Sequence, residues 1–255
     1  MSKKRAFVRY SKNGKIVPGS LILTAGSYPQ GSSTWNEVPA DLCCLQPQDY
    51  SSCLALQAIP DESLNYGFSL QTDNGGPNMT GTIYWAPGVQ EEFTLPSNGN
   101  TYDFFYSFED AVPHTVYLCI NNPSQLQDFE LGFGPGDTVS VNNAYKLNGL
   151  QEWDSDDMNI YSLDLSGLSS LEQLFHGNTI LAHVNITGCT NLIDVDLTNN
   201  ALVEASVDHV LITLDNNGLS NGFVDLGGGT NAAPSVTGSA AAANLITKGW
   251  SVNTN

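Results

Sequence analysis

A chain of 255 residues, 41% of them hydrophobic, is long enough to bury a substantial core as one large domain or two small ones. Charged residues make up only 13%, about half the usual share, and glycine reaches 24 residues, a balance that disfavours long surface helices and favours strands and turns. The net charge of −18 is unevenly spread: Lys3, Lys4, Arg5, Arg9, Lys12 and Lys15 are six of the eight cations, no Asp or Glu precedes Glu37, and the residues after position 15 sum to 2 − 26 = −24, which argues against nucleic acid and anionic membrane as partners of the body.

Residues 1–30 read as one unit. Phe7-Val8-Arg9-Tyr10 alternates as a short strand, Lys12-Asn13-Gly14-Lys15 supplies the Asn-Gly turn of a hairpin, and Ser20-Leu21-Ile22-Leu23-Thr24 is a second strand. A lone hairpin is marginal in water and gains stability by pairing its edges with another chain. Lys3, Lys4, Arg5, Phe7, Arg9, Tyr10, Lys12 and Lys15 are therefore the candidate anchor, a positive tip suited to an acidic protein surface. A merely solubilising terminus is the plainer alternative. Residues 16–23 are too short and broken for a signal-peptide core, and no run approaches the ~20 apolar residues that span a bilayer. An extracellular destination would then be reached by release on cell lysis.

Residues 31–64 are turn-rich and are expected to form a connector. Over residues 65–135, alternating segments at 66–71, 81–85, 91–95, 102–108 and 114–120 are separated by turn clusters such as Asp73-Asn74-Gly75-Gly76-Pro77 and Ala86-Pro87-Gly88. That spacing predicts a small antiparallel β-sandwich. Residues 136–255 carry an internal repeat. Ser162-Leu163-Asp164-Leu165-Ser166-Gly167 aligns with His183-Val184-Asn185-Ile186-Thr187-Gly188 at an offset of 21, with a third copy suggested at Ala205-Ser206-Val207. This period lies in the leucine-rich-repeat range, so each copy is expected to give one short strand and a turn, with the leucines stacked between copies. Asp164, Asn185 and Ser206 would form a polar ladder on one face, and Glu172 with Ile193 a second equivalent position. An ordinary solvated face is the competing reading. The Ala240–Ile246 run should form a capping helix ending at Lys248 and Gly249, followed by a closing strand through Trp250 and Val252. The fold class expected is thus mainly β: an N-terminal β-hairpin anchor, a small β-sandwich and a C-terminal leucine-rich-repeat-like solenoid.

Chemistry-bearing patterns are sparse. Cys43, Cys44, Cys53, Cys119 and Cys189 are an odd set without regular spacing, so buried free thiols are expected, with a bridge from Cys43 or Cys44 to Cys53 as the alternative. His114, His176, His183 and His209 make no metal-ligand spacing with them, and His176 and His183 read as surface positions of the repeat. The Gly222–Gly229 stretch has no following Lys-Ser/Thr and reads as a tight cap turn. Asp154-Ser155-Asp156-Asp157 lacks calcium-loop spacing and reads as a solvated acidic loop. No catalytic residue, metal or cofactor is assigned, and the chain is expected not to be an enzyme.

The stretch from Lys3 to Thr24 resembles an N-terminal module of structural proteins from phages that infect Bacteroidota, including crAss-like and flavobacterial phages. Leu214-Asp215-Asn216-Asn217-Gly218, and Gly229-Thr230-Asn231-Ala232-Ala233-Pro234 through Val252, resemble the C-terminal cap of leucine-repeat domains in phage fibres and Bacteroidota surface proteins. Residues 81–117 resemble the PKD-like (Ig-like) sandwich that often precedes such repeats, although Ala86-Pro87-Gly88 replaces its acidic turn. The resemblance implies a virion protein, a head fibre, tail fibre or spike. Its N-terminus would dock on capsid, portal, tail or baseplate components, and its repeat would be exposed to a host-surface glycan or protein receptor. A homo-oligomer, trimer or pentamer, is expected. A bacterial adhesin or glycan-binding module is the alternative, and a fibre-borne glycan depolymerase the third reading.

Overall fold

The computed structural model describes residues 49–131 and 136–255, together with the backbone of three strands nearer the N-terminus. The chain divides into two compact units, Met1–Asp49 and Tyr50–Asn255. In the first, β1 (Arg5–Arg9) pairs antiparallel with β2 (Ile22–Thr24) on one side and β3 (Trp35–Glu37) on the other. The two hairpin strands read from sequence are thus joined by a third strand from the expected connector. The Asn-Gly turn and the side chains of the basic anchor lie outside the described residues, as do Cys43 and Cys44.

The second unit begins with strands of alternating burial: β4 (Leu54–Ile59), β5 (Asn65–Thr72), β6 (Met79–Ala86), β7 (Val89–Leu95), β8 (Thr101–Ser107), β9 (His114–Ile120), β10 (Leu126–Glu130) and β11 (Asp137–Asn142). Short elements follow: β12 (Glu152–Asp154), β13 (Ser162–Asp164), β14 (Gln173–Phe175), β15 (His183–Asn185), β16 (Asp194–Asp196), α1 (Glu204–Asn217), β17 (Phe223–Asp225), α2 (Val236–Thr247) and β18 (Ser251–Asn253). Among the described residues the fold is mainly β. One antiparallel sheet has the order β11-β4-β9-β6-β7, and a larger one runs β18-β17-β16-β14-β12-β10-β5-β8.

Strand β10 is the pivot of the larger sheet. It pairs antiparallel with β5 and parallel with β12, so the antiparallel half continues without a break into a parallel ladder. The boundary expected near residue 135 is therefore crossed by one sheet, and β11, beyond that boundary, pairs back onto β4 inside the expected connector. Aromatic side chains bridge the same joint. Phe68 lies 5.6 Å from Trp85 and 5.7 Å from Phe129, and Phe129 lies 5.2 Å from Trp153, ring centre to ring centre. All four are buried in one continuous core. Large rings are used here because each covers more apolar area than an aliphatic side chain and gains further from tilted packing.

The 21-residue offset is the register of parallel pairing. Glu152, Gln173 and Asp194 are successive partners in β12, β14 and β16, and Ser162 pairs with His183 in β13 and β15. Each 21-residue step therefore carries two short strands that belong to different sheets, and Leu163, Leu174, Val184 and Val195 on them are buried. The expected third copy is not a strand. Residues 205–207 open α1, because Val207, Val210, Leu211 and Leu214 recur at i, i+3, i+4 and i+7 and all four are buried. The helix packs along β15, and His209 Nε2 accepts the Ile186 N–H at 3.2 Å beside that strand. Helix α2 and β18 stand where the sequence placed a capping helix and closing strand. Ser235 caps α2 by accepting from the N–H groups of Thr237 and Gly238.

The expectation of free thiols is corrected at one pair: Cys53 and Cys119 form a disulfide between the residue preceding β4 and β9. The pairing of Leu54 with Leu118 in these neighbouring strands brings the two sulfurs together. Cys189 is a buried free thiol, as expected, and burial pushes it up to about 12.

Candidate functional site

In the parallel strands only the central residue points into the core, so both flanking residues project to the opposite side of the sheet. The register aligns these outward positions, together with those of β5 and β8, in two continuous rows. One runs through Thr101, Gln71, Asp128, Glu152, Gln173, Asp194, Phe223 and Ser251; the other through Asp103, Ser69, Glu130, Asp154, Phe175, Asp196, Asp225 and Asn253. Eight of these sixteen residues are carboxylates. The two lysines among the described residues are engaged elsewhere, Lys146 over the Tyr145 ring and Lys248 on Asp215 at 2.6 Å.

Like charges face each other directly at the joint, Asp128 opposite Glu152 and Glu130 opposite Asp154. Such pairs oppose strand association. Burial, then the charges of Glu152, Glu130 and Asp154, push Asp128 up to about 7, and its buried Oδ1 has no hydrogen-bond partner. Glu130, Glu152 and Asp154 are also raised, burial being the first cause and neighbouring carboxylates contributing to each. Farther along, Gln173 stands between Glu152 and Asp194, and Phe175 between Asp154 and Asp196, while Asp196 again faces a carboxylate directly, that of Asp225.

A groove of about 410 Å³ opens where the chain enters β14, β16 and β17, lined by Glu172, Gln173, Ile193, Asp194, Asn221, Gly222 and Phe223. Ile193 and Phe223 are 39% and 38% exposed. Gly222 makes this shape possible: a Cβ there would meet the Ile193 carbonyl oxygen and the Trp250 ring at 2.6 Å. The groove therefore sets the partly exposed apolar side chains of Ile193 and Phe223 among the carboxylates of Glu172 and Asp194.

The sequence-selected ladder is only partly assembled. Asp164 and Asn185 are partners in β13 and β15, on a different sheet from the acidic rows. Each closes its own turn: Asp164 Oδ1 accepts the Ser166 N–H at 3.0 Å, and Asn185 Oδ1 accepts that of Thr187 at 3.1 Å. Asp154, Asp196 and Asp225 do the same for the N–H two residues on. The loop Asp154–Asp157 is thus turn chemistry, with Asp156 also accepting the Gly177 N–H. Ser206 is buried in α1 and leaves the ladder. Glu172, by contrast, stands with Ile193 on the groove, the second equivalent position read from the repeat.

His176 is fully buried, which corrects its reading as a surface residue; His183 is exposed. The Trp153 Nε1–H donates to Ser155 Oγ at 2.7 Å, Ser155 Oγ meets His176 Nδ1 at 2.8 Å, and His176 Nε2 meets Thr179 Oγ1 at 2.9 Å. Thr179 then donates to Asn200 Oδ1 at 2.8 Å. Every group is satisfied by a neutral imidazole carrying its proton on Nε2. Burial lowers His176 to about 4, in keeping with that form. The Ser–His pair has no solvent access, since Ser155 is also fully buried. Its arrangement belongs to the buried interior and supplies no exposed nucleophile. The outward rows were missed in the sequence because their period changes: successive strands from β10 to β18 are offset by 24, 21, 21, 29 and 28 residues.

Among the described residues, no group of three or more His, Cys, Asp or Glu is arranged to hold a metal ion, and no helix is long and apolar enough to cross a membrane. The chain matches no family model, no curated protein and no solved structure.

Proposed function

We propose that this protein is a structural component of a phage virion, a fibre, spike or head decoration. Its basic N-terminal module attaches to other virion proteins, and its acidic body offers a binding surface to the host or to neighbouring subunits. On this reading residues 50–142 form a β-sandwich, and the parallel ladder with its helices is a leucine-rich-repeat-like solenoid joined to it through β10. The observation that carries the proposal is the continuous outward face of the eight-stranded sheet. Two polar rows and a groove stand on a scaffold held by a single core, the form expected of a contact surface. The charge split supports the division of labour, because attachment and exposure are assigned to segments of opposite sign.

Peptide mass spectrometry of washed particles from the phage that encodes the chain should find it in multiple copies, and deletion of residues 1–30 should remove it from them. Absence of the full chain from the particles would overturn the proposal. Binding of the free protein to a glycan array, with no incorporation into particles, would favour the adhesin reading.

A further inference from the structure

The acidic sheet face carries a groove in which partly exposed apolar residues stand among carboxylates. Glu172 and Asp194 line it together with Ile193 and Phe223. A ligand suited to it combines positive charge with neighbouring apolar side chains. Carboxylates crowded along the same face would be relieved by such a partner, since like charges now stand opposite one another across β10 and β12. The chain itself contains one segment of this composition: Lys3, Lys4 and Arg5 precede Phe7, Arg9 and Tyr10 follow it, and no acid occurs before Glu37.

We propose that the acidic face and groove receive the basic N-terminal segment of a second copy of this chain. The inference rests on the reading that residues 1–30 are an assembly module, and it names their acceptor. Because donor and acceptor are different surfaces, the contact is head-to-tail. It closes into a ring where the rotation between copies permits and extends into a fibre where it does not. Charge complementarity supplies the orientation, and the groove takes the apolar side chain.

Three proteins test this by light scattering and sedimentation: the native chain, the chain lacking residues 1–30, and the variant Glu172→Lys/Asp194→Lys. The native chain should associate, more tightly at low salt than at high salt. The truncated chain and the face variant should each be monomeric, with self-affinity at least about tenfold weaker. Mixed together, they should form a 1:1 complex, because one retains the face and the other retains the basic segment. The milder pair Glu172→Gln/Asp194→Asn, checked by circular dichroism, guards against misfolding and should weaken association less. Oligomers that survive truncation, or a mixture that stays monomeric, would overturn the proposal. So would a monomeric native chain whose isolated 1–15 peptide binds the truncated body, since the segment would then fold back on its own chain. Loss of incorporation into particles on truncation, without self-association, would leave the virion reading standing and remove this acceptor.

Discussion

Asp128 and His176 titrate in opposite senses. The carboxyl of Asp128 is raised to about 7 in the folded chain against an ordinary 3.8. Folding therefore carries an electrostatic penalty that is full above pH 7 and disappears as the pH falls towards 4. The imidazole of His176 is lowered to about 4 against an ordinary 6.5. Its contribution is fully present above pH 6.5 and is lost as the pH falls towards 4. The two slopes offset each other in the native chain. Asp128→Asn should therefore melt at a higher temperature than the native protein at pH 8, and its advantage should vanish near pH 4. Its own melting temperature should fall as the pH drops between these limits. Melts followed by circular dichroism across this range check the signs, and an unchanged profile would show that Asp128 is not strained by its neighbours. Neither residue was legible beforehand. An acid in a Gln-Asp-Phe-Glu strand looks solvated until a second carboxylate is paired against it, and His176 looks like a surface residue until Ser155 and Thr179 are brought to its ring.

At the level of single elements, two glycines carry different burdens. Gly218 ends α1 at φ 76°, where an added Cβ would meet nothing within 4 Å. Replacing it with alanine strains only the backbone and should cost about 1 kcal/mol in urea unfolding. Gly222 has no left-handed conformation, but its missing side chain makes room for Trp250 and the Ile193 carbonyl. Gly222→Ala should therefore destabilise more than Gly218→Ala and deform the groove, which a crystal structure of the variant or quenching of Trp250 fluorescence would register. The alternating strands from β5 to β9 were readable because a period of two with turn residues between is a local signal. Helix α1 was hidden by the expectation of a third 21-residue copy: Ala205-Ser206-Val207 fits that copy, yet Val207, Val210, Leu211 and Leu214 make a stronger helical stripe. Strand β4 lay in a segment read as a turn-rich connector and β11 beyond the expected sandwich; the two pair with each other, and β4 also with β9.

For the molecule as a whole, the Cys53–Cys119 bridge spans 66 residues and ties β4 to β9 within the antiparallel half. Reduction should lower stability by about 2–4 kcal/mol. A urea midpoint that moves downward with reductant, and does not move in a Cys53→Ala/Cys119→Ala variant, checks this. The pairing could not be read from spacing, since it depends on which strands become neighbours. The charge division and the 21-residue period were plain in the sequence, because both are statements about composition along the chain. The shared sheet through β10 was not, because it joins residues that the pattern assigned to separate domains.

That shared sheet also sets how the body would respond to being pulled. The outer ladder strands β16, β17 and β18 are only three residues long, and paired neighbours lie 28 or 29 residues apart in the chain. Tension on the last residues would detach β18 first and then β17, releasing slack of 28 and then 29 residues as each is stripped from its partner. The eight-residue β5, clasped on both sides by β8 and β10, would yield only after the parallel ladder had been stripped. The body would thus give way in small steps from its far end, with the antiparallel half the last to let go.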